Sequence, residues 1–214
     1  MYRIGRRPDP WLWRDWSSAA SDNTFGHRWD DPEGTFRVLY VSSQRRGAFL
    51  EALARFRPDP RAAADLNGIE GSPEAWGPGC LPSTWLEQRM MGQALIDRGN
   101  FVDVGHSTSL AHLRDLLAPR LVHYRLAELD AATIRLSAPR SFTQEVSRVV
   151  FESVTEDGSH PAGIHYLSRL GDEIHNWAIF EGAPAVIGEL DGIRLQPNDT
   201  DLEAALEILH VEFV

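Results

Sequence analysis

The segment that decides the fold is the run FRVLYVSSQRRGAFLEALARF, residues 36–56. Its first part, Phe36–Ser43, carries apolar residues on both alternating faces, which is typical of a central strand covered on both sides. Its second part predicts a helix from about Arg46 to Phe56, because the apolar residues there fall on one side of a helical wheel. A strand followed at once by a helix favours a fold in which helices pack on a sheet.

Strand and helix patterns continue to alternate beyond this segment. Three of the predicted helices begin with a capping box, in which a hydroxyl residue is followed three positions later by Glu or Gln. The predicted elements are a helix from Thr84 to about Asp97, a strand over Phe101–Val104, a helix from Ser107 or Thr108 to Leu117, a helix from Ser141 to about Ser153, strands over Ile164–Ser168 and Trp177–Phe180, and a helix from Thr200. The sequence therefore predicts an α/β (α+β) fold, a single domain with a mixed β-sheet flanked by helices.

Two segments differ in composition from the rest of the chain. Residues 1–24 form an N-terminal arm rich in Trp and Arg, and we expect the domain proper to span residues 25–214. Residues 57–82 are rich in Pro and Gly and are predicted to form a long loop inside that domain. A loop of this length within a compact domain is more often functional than not.

The charged residues exclude several classes of function. All 21 basic residues are arginine, which rules out a Schiff-base lysine and a Walker A phosphate loop. The net charge of −10 argues against a general surface for nucleic acid. Residues 1–61 carry a net charge of +3, and residues 181–214 carry a net charge of −7. We therefore expect an anionic small molecule to bind residues 1–61 more favourably than residues 181–214. The alternative is that both segments are solvated surfaces.

The common catalytic and metal-binding motifs do not occur. Gly77-Pro78-Gly79 lacks the strand and third glycine of a dinucleotide fingerprint, and no Gly-x-Ser-x-Gly elbow is present. The single cysteine, Cys80, and the absence of a His-x-x-x-His pair predict no metal site. No run approaches 18 apolar residues and no signal-peptide pattern opens the chain, so we expect a cytoplasmic protein without a membrane segment.

Six short segments of the chain resemble segments of the RES domain family and occur in the same order. The family is named for an arginine, a glutamate and a serine. Together they span roughly residues 25–181. The matching positions are Arg28-Trp29 followed by Gly34, the strand residue Tyr40, the helix residue Glu51, Arg140–Thr143, the segment Gly163–Arg169, and the apolar Trp177–Glu181. The sequence departs from the family where Asp30-Asp31 replaces Asn-Pro, where His27 replaces a glycine, and in the length of segment 57–82.

The resemblance implies a fold similar to mono-ADP-ribosyltransferases and NAD as the substrate, with no permanently bound cofactor and no metal. It also implies the toxin of a bacterial type II toxin–antitoxin system, neutralised by a helix-turn-helix antitoxin of the Xre type. The implied activity is cleavage of the nicotinamide–ribose bond by hydrolysis or phosphorolysis. The alternatives are transfer of ADP-ribose to a protein and a catalytically inactive binding module. The oligomeric state stays open, a homodimer included.

The resemblance assigns catalytic roles to Arg28 and Glu51, and NAD binding to Arg28, Tyr40, Ser168 and Arg169. These residue types suit the chemistry, because arginine binds pyrophosphate, tyrosine stacks on rings and a carboxylate stabilises a cationic ribosyl transition state. The residues alone leave structural alternatives open. Arg28 could pair with Asp30 or Asp31, Tyr40 could pack in the core, Glu51 could form a solvated pair with Arg55, and Ser168 could be an edge hydroxyl in a hairpin.

Overall fold

The computed structural model describes residues 1–58, 79–136, 139–183 and 186–214. In these ranges the strands are β1 (Tyr2–Arg6), β2 (Val38–Ser42), β3 (Cys80–Leu81), β4 (Arg89–Arg98), β5 (Phe101–Asp103), β6 (Gly163–Ser168), β7 (Gly171–Phe180), β8 (Val186–Arg194) and β9 (Glu212–Phe213). The helices are α1 (Arg45–Leu53), α2 (Ser83–Glu87), α3 (Ser107–His123), α4 (Ala131–Leu136), α5 (Arg140–Glu152) and α6 (Thr200–Leu209), with 3-10 turns at Trp16–Ser18 and Ala54–Phe56.

Seven of the described strands share one mixed sheet, and helices accompany it, so the predicted α/β (α+β) class is confirmed. The chain divides into two compact units. The first unit comprises residues 1–12, 43–93 and 190–214, and the second comprises residues 13–42 and 94–189. The predicted boundary between the N-terminal arm and the domain at residue 24 stays a prediction. None of the helices in the described ranges is long and apolar enough to cross a membrane.

The second unit contains the strand neighbours β5-β6-β7-β2. β5 runs parallel to β6, whereas β7 is antiparallel to both β6 and β2. Helix α5 packs against β6 and α3, and its buried residues recur every three or four positions, as expected for a helix that covers a core. The core cluster includes Trp29, Phe142, Ile164 and Phe180, each at most 1% exposed. Burial of each such side chain contributes about 1.5–3 kcal/mol.

The first unit pairs β1 with β4 in antiparallel register and packs α1 against β1 and α6. Arg45 on α1 bonds to Asp199, the N-cap of α6, and its Nε lies 3.1 Å from Oδ2 of Asp201. Gly5 is required in β1, because a Cβ at this position would lie 2.2 Å from the carbonyl oxygen of Pro10. The chain after β1 therefore folds back closely over the strand.

The predicted helix from Thr84 to about Asp97 is wrong over most of its length. Helix α2 ends at Glu87, its N-cap is Pro82 rather than Thr84, and β4 follows at once. Gly92 disfavours a helix interior by about 1 kcal/mol relative to alanine. In the strand its missing side chain makes room for the Trp11 indole, since a Cβ there would lie 2.8 Å from Trp11 Nε1. Pairing with β1, which the sequence pattern did not predict, overrides the local capping signal.

The other predicted elements are present with shifted ends. The strand at Phe36–Ser43 is β2, and the helix from Arg46 is α1 with its 3-10 extension. α3 runs six residues past Leu117 to His123, while the predicted strands near Ile164 and Trp177 are β6 and the longer β7. α5 begins at Arg140 with Pro139 as its N-cap, so the predicted Ser141 cap does not form. Most of the predicted 57–82 loop lies outside the described residues.

Candidate active site

Arg28 lies in the second unit on the segment that leads into β2, and its side chain is held between rings. Its Nη2 donates to the carbonyl oxygen of Ile134. The guanidinium carbon lies 4.7 Å from the centre of the Trp29 ring and 5.1 Å from the centre of the Tyr166 ring. Stacking on two aromatic faces fixes the plane of the guanidinium and stabilises its charge. Arg28 is therefore positioned by a backbone carbonyl and aromatic rings.

The hydroxyl of Tyr40 joins Arg28's segment to β2. It donates to Oδ1 of Asp30 at 2.9 Å and accepts the Trp29 backbone N–H at 3.0 Å. Oδ2 of the buried Asp30 accepts the His27 N–H at 2.7 Å. Burial, followed by the neighbouring Asp30 charge, holds the pKa of Tyr40 well above its ordinary value. The structure thus brings Arg28 and Tyr40 together, with Tyr40 as a neutral donor that braces the segment.

The second aspartate of the Asp30-Asp31 departure has a separate structural role. Asp31 is 1% exposed, and its Oδ2 accepts the Thr35 hydroxyl at 2.7 Å and lies 3.4 Å from Nη1 of Arg148 on α5. Ser147, also on α5, donates its hydroxyl to the Trp29 carbonyl at 2.6 Å. These contacts attach the Arg28 segment to α5. The two carboxylates that replace Asn-Pro are thus accounted for by local bonding.

Ser168 and Arg169 lie where β6 turns into β7. The Ser168 side chain is buried, and its Oγ accepts the Leu170 N–H at 3.0 Å, which closes the turn. Arg169 lies in the turn and is exposed. This contact of Ser168 corresponds to the structural alternative of a hydroxyl in a hairpin. NAD binding by Ser168 or Arg169 stays a prediction.

Glu51 lies in the first unit, on the exposed side of α1. The buried residues of this helix, Phe49, Leu50 and Leu53, occupy its other side, as the helical wheel predicts. The other four predicted site residues belong to the second unit. The catalytic role of Glu51 stays a prediction.

A cavity of about 250 Å³ opens beside the Arg28 contacts in the second unit. It lies where β6 continues beyond the end of β5, next to α4. Ile134 and Tyr166, which both contact Arg28, are part of its wall. The lining residues are Asp103, Gly105, His106, Ala131, Ile134, Arg135, His165, Tyr166, Leu167 and His175.

Two lining histidines that sequence reasoning missed form a hydrogen-bonded pair. Nε2 of His165 lies 2.9 Å from Nδ1 of His175, and the rings stack with an interplanar angle of 14°. Nδ1 of His165 lies 3.1 Å from Oδ2 of Asp103. A signal was present in the sequence, because residues placed alternately across an antiparallel hairpin share a face. His165 pairs with Trp177, and Leu167 with His175, which brings both imidazoles to one face.

Arg3 of β1 is a second feature that sequence reasoning missed, and it belongs to the first unit. Its Nε and Nη1 are buried and have no hydrogen-bond partner among the described residues. Burial lowers the pKa of Arg3 to about 10, and the charge of Asp9 opposes that shift. A buried guanidinium with unsatisfied donors is costly unless an anion binds it.

Comparison with protein-family models gives a match over most of the chain. The model of the RES domain matches residues 1–199 of the 214-residue chain. The chain belongs to the RES domain family. The RES match begins at residue 1 and so includes the Trp- and Arg-rich arm. No curated protein and no solved structure matches the chain.

Membership in the RES family supports an NAD-related, ADP-ribosyltransferase-like role connected with toxin–antitoxin systems. The described residues contain no group of three or more His, Cys, Asp or Glu side chains arranged to hold a metal ion.

Proposed function

We propose that this RES protein cleaves the nicotinamide–ribose bond of NAD, by hydrolysis or phosphorolysis, and acts as the toxin of a bacterial type II toxin–antitoxin system in the cytoplasm. The observation that carries the proposal is the family match over residues 1–199. The firmly held guanidinium of Arg28 beside a cavity supports it, because NAD carries a pyrophosphate that needs a cation.

The reaction makes few demands on acid catalysis. Nicotinamide leaves as a neutral molecule from a pyridinium, and the ribose carbon passes through a transition state like an oxocarbenium ion. The proposed role of Glu51 is to place negative charge near that ribose. The charge would stabilise the cationic transition state more than the ground state. Arg28 is the proposed pyrophosphate ligand. Tyr40 positions Arg28, and Ser168 and Arg169 are proposed to contact NAD.

A cognate Xre-type antitoxin is the expected protein partner. The segment 181–214, with eight acidic residues and one arginine, would suit a basic antitoxin segment. Two alternatives are compatible with the same family membership. One is an ADP-ribosyltransferase that modifies a protein, and the other is a catalytically inactive RES protein that only binds.

The test is incubation of the purified protein with NAD, with and without inorganic phosphate, while free nicotinamide is followed. Glu51→Gln should lower kcat by about 100-fold, since removal of a charge that stabilises the transition state typically costs this much. Glu207→Gln is the matched control, because Glu207 is another exposed helical glutamate of the first unit. We expect the control to match the wild type.

The product distinguishes the acceptors. ADP-ribose indicates hydrolysis, and a phosphorylated ADP-ribose indicates phosphorolysis. No nicotinamide release from a folded protein that binds NAD would contradict the proposal and favour a protein acceptor. If the protein does not bind NAD at all, the catalytically inactive binding module becomes the favoured alternative.

A further inference from the structure

Helix α5 presents a row of side-chain donors to the segment that carries Arg28. Arg140, Gln144 and Ser147 lie four and then three positions apart, so they share one face of the helix. Together they donate to four backbone carbonyl groups within residues 25–29. Residues 25–29 form neither a strand nor a helix, so their carbonyl groups need partners from elsewhere. The side chains of α5 supply these partners.

The two residues beside Arg28 have their carbonyl groups bound by α5. Nε2 of Gln144 donates to the His27 carbonyl oxygen at 3.0 Å, and the Ser147 hydroxyl donates to the Trp29 carbonyl oxygen at 2.6 Å. Ser147 is 0% exposed, so this second bond is shielded from water. Its loss would leave the Trp29 carbonyl without that partner inside the protein.

The N–H groups of the same two residues are bound as well, by side chains outside α5. The His27 N–H donates to Oδ2 of Asp30 at 2.7 Å, and the Trp29 N–H donates to the Tyr40 hydroxyl at 3.0 Å. The backbone is therefore fixed at four points on the two sides of Arg28. These points set the direction in which the Arg28 side chain leaves the chain, and any rotation there is magnified at its guanidinium.

Helix α5 is a rigid support for this row, because its neighbouring face is packed into the core. Phe142, Val146 and Val150 are each at most 2% exposed. The helix packs on β6 and α3 through this part of the core. Side chains on a packed helix hold a site more precisely than side chains on a loop do.

Ser147 differs from an ordinary hydroxyl residue inside a helix. Such a hydroxyl usually bonds to a carbonyl three or four positions earlier in its own helix, as Thr143 does with the Arg140 carbonyl at 2.8 Å. Ser147 instead bonds to Trp29, which lies 118 positions away in the sequence. Serine is also a poorer helix former than alanine. The hydroxyl of Ser147 thus serves the Arg28 segment rather than the helix.

The first turn of α5 extends the row and includes the family match at Arg140–Thr143, to which the resemblance assigned no role. Nη1 of Arg140 donates to the Gly26 carbonyl oxygen at 2.6 Å. Nε2 of Gln144 lies 3.3 Å from the Phe25 carbonyl oxygen in addition to its bond to His27. This part of the family pattern therefore contacts the segment that carries Arg28.

We propose that Gln144 and Ser147 are positioning residues, which hold Arg28 in the orientation in which its guanidinium receives the pyrophosphate of NAD. The proposal rests on the proposed function, in which Arg28 is the pyrophosphate ligand. Gln144 and Ser147 act through Arg28.

The position of the pyrophosphate in NAD predicts the kinetic effect. The pyrophosphate is remote from the bond that breaks, so Arg28 binds it alike in the ground state and in the transition state. A displaced Arg28 should therefore raise KM and leave kcat unchanged. A purely structural role of α5 would instead reduce the amount of folded enzyme, which lowers the apparent kcat at an unchanged KM.

The test is steady-state kinetics of nicotinamide release by the wild type, Gln144→Met and Ser147→Ala. Methionine is unbranched like glutamine but lacks its donors, and alanine removes only the hydroxyl of serine. We expect each variant to raise the KM for NAD by about 10-fold with kcat unchanged, because a hydrogen bond to a charged group contributes at least about this factor.

Ser153→Ala is the matched control. The Ser153 hydroxyl also donates to a backbone carbonyl, that of Val150 at 2.7 Å, but it lies at the C-cap of α5 and bonds within its own helix. Ser153→Ala should cost stability, as Ser147→Ala does, and leave the KM at the wild-type value. An equal rise of KM in Ser153→Ala and Ser147→Ala would overturn the specific role of Ser147.

NMR measures the position of Arg28 in the absence of NAD. The guanidinium carbon lies 4.7 Å from the centre of the Trp29 ring, so the ring current should shift the side-chain protons of Arg28 upfield. We expect Gln144→Met and Ser147→Ala to reduce this shift, whereas Ser153→Ala should keep it. An unchanged shift in both α5 variants would overturn the positioning role.

The outcomes separate this inference from the proposed function. A wild-type KM in both Gln144→Met and Ser147→Ala overturns the positioning role and leaves NAD cleavage intact. If the wild type releases no nicotinamide, the proposed function fails and the pyrophosphate part of the inference fails with it. The ring-current shift then still decides whether α5 holds Arg28, since its loss in both variants supports that role and its persistence overturns it.

Discussion

The bonds around Tyr40 show how one side chain can serve both fold and site. Its hydroxyl satisfies the Trp29 N–H and one oxygen of the buried Asp30, the two residues that directly follow Arg28 in the sequence. Buried polar groups are costly when they lose their partners, so this position has little freedom to vary. Tyr40 therefore matters to Arg28 even without contact to a ligand.

Tyr40→Phe should destabilise the protein while retaining the ring. The variant leaves the Trp29 N–H and Oδ1 of Asp30 without their partner, which should lower the free energy of unfolding by about 1–3 kcal/mol. Urea denaturation measures the change. Tyr124→Phe is the control, because Tyr124 is another tyrosine that packs against the core of the second unit. Equal stability of Tyr40→Phe and the wild type would show that the two hydrogen bonds contribute nothing.

Single residues were predictable only where a family pattern or a local rule marked them. Arg28 and Tyr40 were singled out by the resemblance, and the structure brings them together. The bond from Tyr40 to Asp30 was not predictable, since ten positions separate them and the pairing depends on how the segment folds back. The imidazole pair depends on the register of the β6–β7 hairpin, which the apolar pattern of the two strands alone does not set.

At the scale of elements, an ion pair joins the residue before β2 to the residue after β7. Nε of Arg37 donates to Oε2 of Glu181 at 2.7 Å, and a second bond joins the same two groups. The Glu181 N–H donates to the Arg37 carbonyl at 2.9 Å. A bidentate pair supported by the backbone is better placed to contribute to stability than a single surface contact.

The stability that this pair contributes should depend on pH. The hydrogen bond from Arg37 is the main cause that holds the pKa of Glu181 below its ordinary value. The contribution is therefore present above the ordinary glutamate pKa and is lost as the pH falls through the lowered one. Glu181→Gln should lower the free energy of unfolding by about 1 kcal/mol at neutral pH and by progressively less as the pH falls below the ordinary glutamate pKa.

The measurement is chemical denaturation at several pH values, with Glu156→Gln as the control, because Glu156 is an exposed glutamate of the same unit. A difference between Glu181→Gln and the wild type that stays constant with pH would contradict the electrostatic origin.

Elements were predictable where their residues repeat with one period and no distant strand intervenes. α5 and β2 follow their patterns closely. β4 was mistaken for a helix, because its partner β1 lies more than 80 residues earlier in a segment that composition marked only as an arm. β8 was missed as well. Strand pairing over such distances depends on the whole fold, and local capping signals do not report it.

At the scale of the whole molecule, the buried, unsatisfied donors of Arg3 should make the stability of the protein depend on anions. A buried guanidinium with unsatisfied donors lowers the stability of the free protein and is relieved when an anion binds. An anion of this kind stabilises the entire chain, because it binds only the folded state.

Arg3→Met should have opposite effects on the free and the bound protein. Without an added anion, its melting temperature should equal or exceed that of the parent. At inorganic pyrophosphate concentrations of about 100 Kd the parent should gain about 2.7 kcal/mol, or about 5–11 °C in Tm, and the variant should lose most of that gain.

Arg6→Met is the control for this experiment, since Arg6 is an exposed arginine of the same strand. If pyrophosphate stabilises Arg3→Met as much as Arg6→Met, Arg3 has no part in binding the anion.

The place of β1 changes how the N-terminus should be handled at the bench. Residue 2 already pairs with Gln93, and the return of the chain at Pro10 sits against Gly5 and Gly92. Trimming the first twenty residues to remove a tryptophan-rich arm would also strip the partner from β4 and bare its backbone donors and acceptors, which invites aggregation. An affinity tag therefore needs a flexible spacer before Met1, and point substitutions within the arm are more informative than truncations.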